Sequence, residues 1–400
     1  MIPVGHTTRR KDLPVPAPRR PPDSAAAVLH AILQHGPVAR SSVARVTRLS
    51  AATVTGATAA LLRQRLIREV PEAAGPPGMG RPHVPLDVEP AAVGVIGVHV
   101  AVPCTTVALL DLRGRVLDEH RAPHGERDPG SVLAALGGGI AAMRREHPRR
   151  RILGAGLATG GWVDAANGTV IEHPVLGWRD VPAGAVLAEA TGLPVRVDSN
   201  SRALLRAEQL FGAARMRESA AHLFVGNLVD VAFAAGGVVH EGPRSAAGAV
   251  AHLPVEGCAE ACPCGRVGCL QVAVSERVVV RRALAAGLID RPEIGDLVDA
   301  AAGGRAEAVR MLRDRARLVG RAAALLLDLF DPEVLVVAEA GVNRLPGCLA
   351  TVRGEVAAHS SAGVDAVRIV HPSSFPDSVL AVAGGAVALH RVYASPLGRT

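Results

Sequence analysis

The chain has 400 residues, 49% of them hydrophobic and only 2% aromatic, with a formal net charge of +7. That length implies two or three domains with a large core, and so few rings exclude a surface that binds single strands by stacking bases. Residues 1–90 hold twelve basic and six acidic side chains whereas the other 310 hold 32 and 31, so a basic module is joined to a nearly neutral body. A polyanion is the usual partner of such a module, and a solvated basic face is the plainer alternative.

Residues 1–23 are rich in proline and arginine without periodicity and read as a disordered basic arm. Val28, Leu29, Ile32 and Leu33 then follow helical spacing until His35-Gly36-Pro37. A second short helix fits Ser41 to Thr47, and a third begins at the N-cap Ser50 and runs to about residue 64. Only Arg48 and Leu49 separate the two, a helix-turn-helix spacing. A strand at Leu66 to Val70, a Gly/Pro-rich excursion at 75–82 and a second strand at Val84 to Val88 complete a wing, so a winged helix-turn-helix is expected over 24–89. The body, 91–395, opens with a meander (Val93 to Val102, Thr106 to Leu112, Val116 to Arg121), followed by a helix at 128–147 and a strand at Ile152 to Leu157. Strand then helix recurs at Leu193 to Val197 and 201–212, at Val334 to Val337 and 344–358, and at Val367 to Val370 and 377–392. This alternation predicts an α/β fold with mixed sheets in two similar halves.

The most apolar stretch, Leu223 to Val239, is broken by Asn227, Asp230 and paired glycines, and the N-terminus lacks an apolar signal segment. A cytoplasmic protein with no membrane partner is expected. Six cysteines are too few for a disulfide scaffold, yet Cys258, Cys262, Cys264 and Cys269 crowd into twelve residues. His252, Cys262, Cys264 and Cys269 form H-x9-C-x-C-x4-C, a closed four-ligand set suited to a structural Zn2+ ion, with Gly265 and Gly268 allowing the tight turns. Cys258 is a substitute ligand or a bystander.

The run from Gly36 to Thr55 resembles the DNA-binding end of regulators in the ROK family (repressors, uncharacterised reading frames and sugar kinases). Ala158-Thr159-Gly160-Gly161-Trp162-Val163-Asp164, His173-Pro174-Val175-Leu176-Gly177-Trp178 and the Cys-rich stretch fit the same family, so the resemblance spans about 24–392. It implies a winged helix followed by a two-lobed, ribonuclease-H-like (actin-like) sugar-kinase fold: lobe one about 91–200 plus the C-terminal helix, lobe two about 201–375, with the zinc motif at 252–269.

The family's kinases carry two glycine-rich phosphate loops and a catalytic Asp. The first loop aligns with His99-Val100-Ala101-Val102-Pro103, the second near Leu228-Val229-Asp230, the base with Asn200, and a late Gly-Gly with Ala338-Glu339. Without glycines or the acid, phosphoryl transfer loses its amide cradle, a metal ligand and its proton acceptor. A two-residue shift would instead make Asp198 the base. Family sugar contacts align with Val175, Ser199-Asn200, Ala249, Ala251 and Gln271, which removes most hexose affinity. Ser199, Asn200, His252 and Gln271 still line a possible effector cleft for another small molecule, or the body takes none.

The expected partners are therefore operator DNA, a possible effector and further copies of the chain in a homodimer or homotetramer. Helix 50–64 is expected in the major groove, with Ser50, Thr53 and Thr55 near base edges and Arg40, Arg45 and Arg48 reaching phosphates. Two other classes stay open: a sugar kinase with a vestigial DNA module, and a zinc-containing interaction scaffold. Arg81, between Gly80 and Pro82, suits a narrow minor groove. Arg81→Ala is expected to weaken DNA binding more than Arg63→Ala in a gel-shift series, and equal effects would count against the wing.

Overall fold

A computed structural model describes residues 23–73 and 84–398. The basic arm up to residue 22, the Gly/Pro-rich excursion of the expected wing and Arg81 lie outside the described residues. Three helices come first, α1 (Ser24–His35), α2 (Arg40–Thr47) and α3 (Ala51–Arg63). Asp23 accepts the Ala25 N–H and Ser50 the Thr53 N–H, so both long helices begin with a capped amide. Val28, Leu29, Ile32, Val43, Val54 and Leu61 close their shared core. Strands β1 (Ile67–Glu69) and β2 (Leu86–Val88) form an antiparallel ribbon beside it.

The body continues with β3 (Val93–Val100), β4 (Cys104–Leu110), β5 (Val116–Pro123), α4 (Pro129–Glu146), β6 (Arg151–Thr159), β7 (Trp162–Asp164), β8 (Thr169–His173) and β9 (Trp178–Val181), then α5 (Ala183–Thr191), β10 (Val195–Ser199) and α6 (Asn200–Phe211). Its second half holds β11 (Ala220–Val225), β12 (Val229–Ala235), β13 (Val238–Val239), α7 (Leu270–Val274), α8 (Glu276–Ala285), α9 (Ile294–Ala302), α10 (Ala306–Phe330) and β14 (Val334–Glu339), then α11 (Ala340–Arg344), α12 (Pro346–His359), α13 (Ala366–Ile369), β15 (Val370–Pro372) and α14 (Val379–Ala394). The two large sheets run β10-β6-β3-β4-β5 and β15-β14-β11-β12-β13, each an antiparallel three-strand meander extended by two parallel strands. The expected pair of similar α/β halves is present.

Two local expectations change. The strand expected at Val367 to Val370 is mostly the helical turn α13, because the Asp365 carboxylate caps it at the Val367 N–H; pairing with β14 involves only 370–372. The helix expected at about 344–358 is α12, which starts at Pro346, and the short helix α11, not expected from the sequence, precedes it.

Helix α14 lies against β3 and β6 at backbone distance. A Cβ on Gly384 would fall 2.4 Å from Val98 N and O, and one on Gly156 would fall 2.3 Å from Gly384 O. At its far end Tyr393 meets His30 of α1 edge-on, ring centroids 5.1 Å apart, and its hydroxyl donates to Leu112 O. Arg113 pairs with Asp87 of β2, Arg151 donates to Gln64 O and Arg150 to Pro90 O. The three-helix unit and the first sheet thus share one continuous core, and the basic-to-neutral charge step is not a structural break. None of the described helices is long and apolar enough to cross a membrane.

His222, fully buried in β11, has no hydrogen-bond partner on either ring nitrogen. Burial pulls its pKa from 6.5 down to about 3. The unfolded chain therefore binds the extra proton, and stability is lost as pH falls from 6.5 toward 3, by up to about 1.4 kcal/mol per pH unit. His222→Leu is expected to raise stability at pH 7 by about 1–3 kcal/mol, since it removes two unmet polar atoms, and to flatten the pH dependence of urea unfolding between pH 6 and 4.

Candidate functional site

Three places gather the residues singled out by the sequence. The first is the open face of α3, formed by Ala51, Ala52, Thr55 and Gly56. Thr53 is half-buried, and its hydroxyl lies 2.8 Å from that of the cap Ser50. Thr55 donates its hydroxyl hydrogen to Ala51 O (2.8 Å), which leaves its lone pairs outward as acceptors. Nothing lies within 4 Å of a Cβ added at Gly56. Arg45 and Arg48 are exposed and without an ion-pair partner among the described residues, Arg48 sitting at the left-handed turn between α2 and α3. Arg40 instead pairs with Glu69 of β1 at 2.7 Å, a long-range partner that its neighbours in sequence do not announce.

The second place is the sulfur cluster. His252 Nδ1, Cys262 Sγ, Cys264 Sγ and Cys269 Sγ have ligand atoms within 4.8 Å of one another. Cys262 Sγ lies 3.7 Å from His252 Nδ1, and Cys264 Sγ 3.7 Å from Cys269 Sγ. A tetrahedral ion with metal–sulfur bonds of about 2.3 Å and metal–nitrogen bonds of about 2.0 Å sets such edges at roughly 3.6–3.8 Å, so the four groups can hold a metal ion. Burial, then the neighbouring thiols, push the Cys269 thiol up to about 11, an opposition that a cation between the sulfurs relieves. Gly265 and Gly268 have φ of +89° and +75°, and the Cys258 carbonyl lies 2.6 Å from where a Gly268 Cβ would be. Cys258 is outside the ligand group and packs on Cys262, Cys269, Val272 and Val278.

The third place is a cleft of about 270 Å³ between the two large sheets. One wall is His99, the turn Val100 to Pro103, His173 and Asn200; the other is Gly226 to Leu228, Glu276, Glu339 and Asn343; Val379 and Leu380 of α14 close the floor. Of the four residues expected here, Asn200 alone lines it, its amide oxygen accepting from His99 Nε2 at 2.9 Å. Ser199 is buried as the cap of α6, and His252 belongs to the sulfur cluster. Gln271 stands behind the wall, where its side chain donates to Asn227 O and accepts the Val229 N–H. Gly226 to Leu228 make the tight turn between β11 and β12 on the cleft wall, the Gly226 N–H donating to Leu228 O. Sequence reasoning missed His173, Glu276 and Asn343; the acid at the first position of α8 is the one signal that pointed toward Glu276.

Burial pulls the His99 and His173 imidazoles down to about 4, so both are neutral at pH 7. Asp198 is buried, with one carboxylate oxygen 2.6 Å from Arg202 Nε and the other on Arg206, and Arg206 also pairs with Glu241 at 2.8 Å. A carboxylate committed to two guanidinium groups is a poor proton acceptor. Glu339 caps α11 by accepting the Val342 N–H and pairs with buried Arg315.

Metal analysis of the purified protein is expected to return one divalent ion per chain. Stripping it with a strong chelator, or Cys262→Ser, is expected to lower the melting temperature by at least about 5 °C; an unchanged melting curve would overturn the assignment.

The ROK family model matches residues 95–391, which begin after the three-helix unit. The transcriptional regulator Rv0485 of Mycobacterium tuberculosis is 36% identical over 391 residues, covering 94% of this chain and 87% of its own length. The DNA-binding transcriptional dual regulator NagC of Escherichia coli is 28% identical over 328 residues, covering 79% and 80%. A solved ROK family transcriptional regulator, a homolog of the E. coli MLC protein, matches with TM-score 0.76 at 25% identity over 93% of this chain and 96% of its own. A ROK family glucokinase from Streptomyces griseus, in complex with glucose and AMPPNP, matches with TM-score 0.66 at 24% identity over 74% and 98%. The fold is thus the α/β sugar-kinase type with mixed sheets, and the chain belongs to the ROK family.

Proposed function

We propose that this chain is a cytoplasmic, DNA-binding transcriptional repressor made of a winged helix-turn-helix, 24–89, and a two-lobed kinase-like body, 91–395, that carries out no phosphoryl transfer. The observation that carries the reading is the capped, outward-facing α3 beside unpaired Arg45 and Arg48, built onto a body whose regulator relatives extend over the same module. Helix α3 enters the major groove, where its methyl-rich face meets thymine methyls and Thr55 accepts from adenine or cytosine amino groups. Arg45 and Arg48 fix the register on phosphates, and Arg81 extends the contact into the minor groove.

The body's reading rests on charge and partners. Asn200 stands at the kinase base position and is held by His99, and Asp198 is spent on two arginines. The body serves to pair copies of the chain on a two-fold operator, as a homodimer or homotetramer, and to present its cleft to an effector. A structural Zn2+ ion on His252, Cys262, Cys264 and Cys269 braces the second lobe.

Genome-wide mapping of bound sites followed by fluorescence anisotropy on the recovered operator tests this. Arg45→Ala and Arg48→Ala are each expected to weaken binding across all sequences and to reduce the slope of log affinity against log salt by about 1, with Arg40→Ala changing it by less than half as much. ATP-dependent phosphorylation of any hexose would refute the non-catalytic body.

A further inference from the structure

The walls of the interlobe cleft carry an unusual charge pattern. Its lining includes two carboxylates, Glu276 and Glu339, and no lysine or arginine. Both imidazoles on the wall are neutral at pH 7. Arg315 stands behind the wall, where it is used up by Glu339, Val274 O and Val225 O.

A phosphate-bearing ligand would need free amides or cations, and the chain has already filled those places with its own acids. Glu276 is the first residue of α8, so its carboxylate occupies the end of the helix that favours an anion, and its N–H donates to Gly226 O. Glu339 takes the Val342 N–H. A bound phosphate would meet Glu276 and the already paired Glu339 with no free cation lining the cleft among the described residues. The rest of the surface is largely apolar, with Val100, Leu228, Ile294 and Val379 around the cleft.

Half-buried Glu276 makes no hydrogen bond or close ion pair through its side chain among the described residues, and desolvation, with Glu339 adding to it and Arg315 opposing it, pushes it up to about 7. A cation placed against it would relieve that cost.

We propose that the interlobe cleft binds a small organic cation, a protonated amine on an apolar body, with Glu276 as its counter-ion. The proposal rests on the reading of the body as non-catalytic, and it gives the effector's chemical class. The ammonium sits between Glu276 and Glu339, and the apolar part lies along Ile294 and Val379, the latter in the first turn of α14.

The test is isothermal titration and thermal shift on the full-length chain, using phenethylamine, hexylamine and cadaverine against their neutral alcohol isosteres, with Mg-AMPPNP and glucose 6-phosphate as the anionic arm. At least one amine is expected to bind one-to-one and raise the melting temperature, its alcohol isostere and both phosphates are expected to have no effect, and Glu276→Gln is expected to weaken the amine at least tenfold. Operator binding of Glu276→Gln should match the parent and its ligand-free melting temperature should be no lower, which shows that the variant is folded. Binding of no amine, equal binding of amine and alcohol, or an amine affinity unchanged in Glu276→Gln overturns the cation site while leaving the DNA-binding reading intact. Tight binding of Mg-AMPPNP overturns it as well, and turnover of ATP overturns the non-catalytic body too.

Discussion

Helix α14 can approach β3 and β6 as closely as it does only because there is no side chain at Gly97, Gly156 or Gly384. The rest of the molecule is arranged around that contact. With the helix at backbone distance from the sheet, its first turn forms the floor of the cleft at Val379 and Leu380, and its last turn delivers Tyr393 to His30 in the reading module. A single rod of 16 residues therefore touches both the cavity and the three-helix unit. Because packed interiors are stiff, a change of side-chain packing at one end of that rod is felt at the other. The Arg113–Asp87 pair and the Arg151 contact to Gln64 O hold the same junction from its polar side.

The second lobe is organised by a chain of short links. The sulfur cluster ends at Cys269, the cap of α7; Gln271, two residues on, donates to Asn227 O within the Gly226 to Leu228 turn and accepts the Val229 N–H just after it. The cluster is far from the reading module in sequence, yet it sets the shape of a cleft wall. On the first lobe the buried Asp198, Arg202 and Arg206 do a similar job. Arg202 donates to Ser245 O and Val163 O in addition to Asp198, so α6, the strand pair around Val163 and the 241–245 loop are tied at one buried point. Removing one member of such a network leaves an uncompensated charge inside the protein, so Asp198 is held in a structural role.

Much of this was legible in the residues because it is local. Ser50 announces the start of α3, the cysteine spacing announces four converging ligands, and the strand–helix alternation announces the paired sheets. What was not legible depends on contacts across long separations. Arg40 looks like a phosphate contact until β1 brings Glu69 against it, and Ser199 and Gln271 look like cleft residues until the fold turns them to a cap and to a wall's reverse side. The charge step near residue 90 suggested two separable bodies, whereas buried apolar residues run without interruption from α1 into β3 and α14. Val367 to Val370 has the composition of a strand, and one aspartate cap was enough to wind most of it into a turn.

The open position at Gly56 has a consequence for how such a protein diversifies. A glycine inside a helix is less stable than alanine by about 1 kcal/mol, so Gly56→Ala strengthens α3, and the added Cβ meets no atom of the described residues within 4 Å. Under the proposed DNA-binding reading, the side chain at this position can change by single codon steps without asking the core, the ribbon or the body to adjust. Descendants of this sequence would then acquire new operators while the contacts that hold the fold together are inherited unchanged.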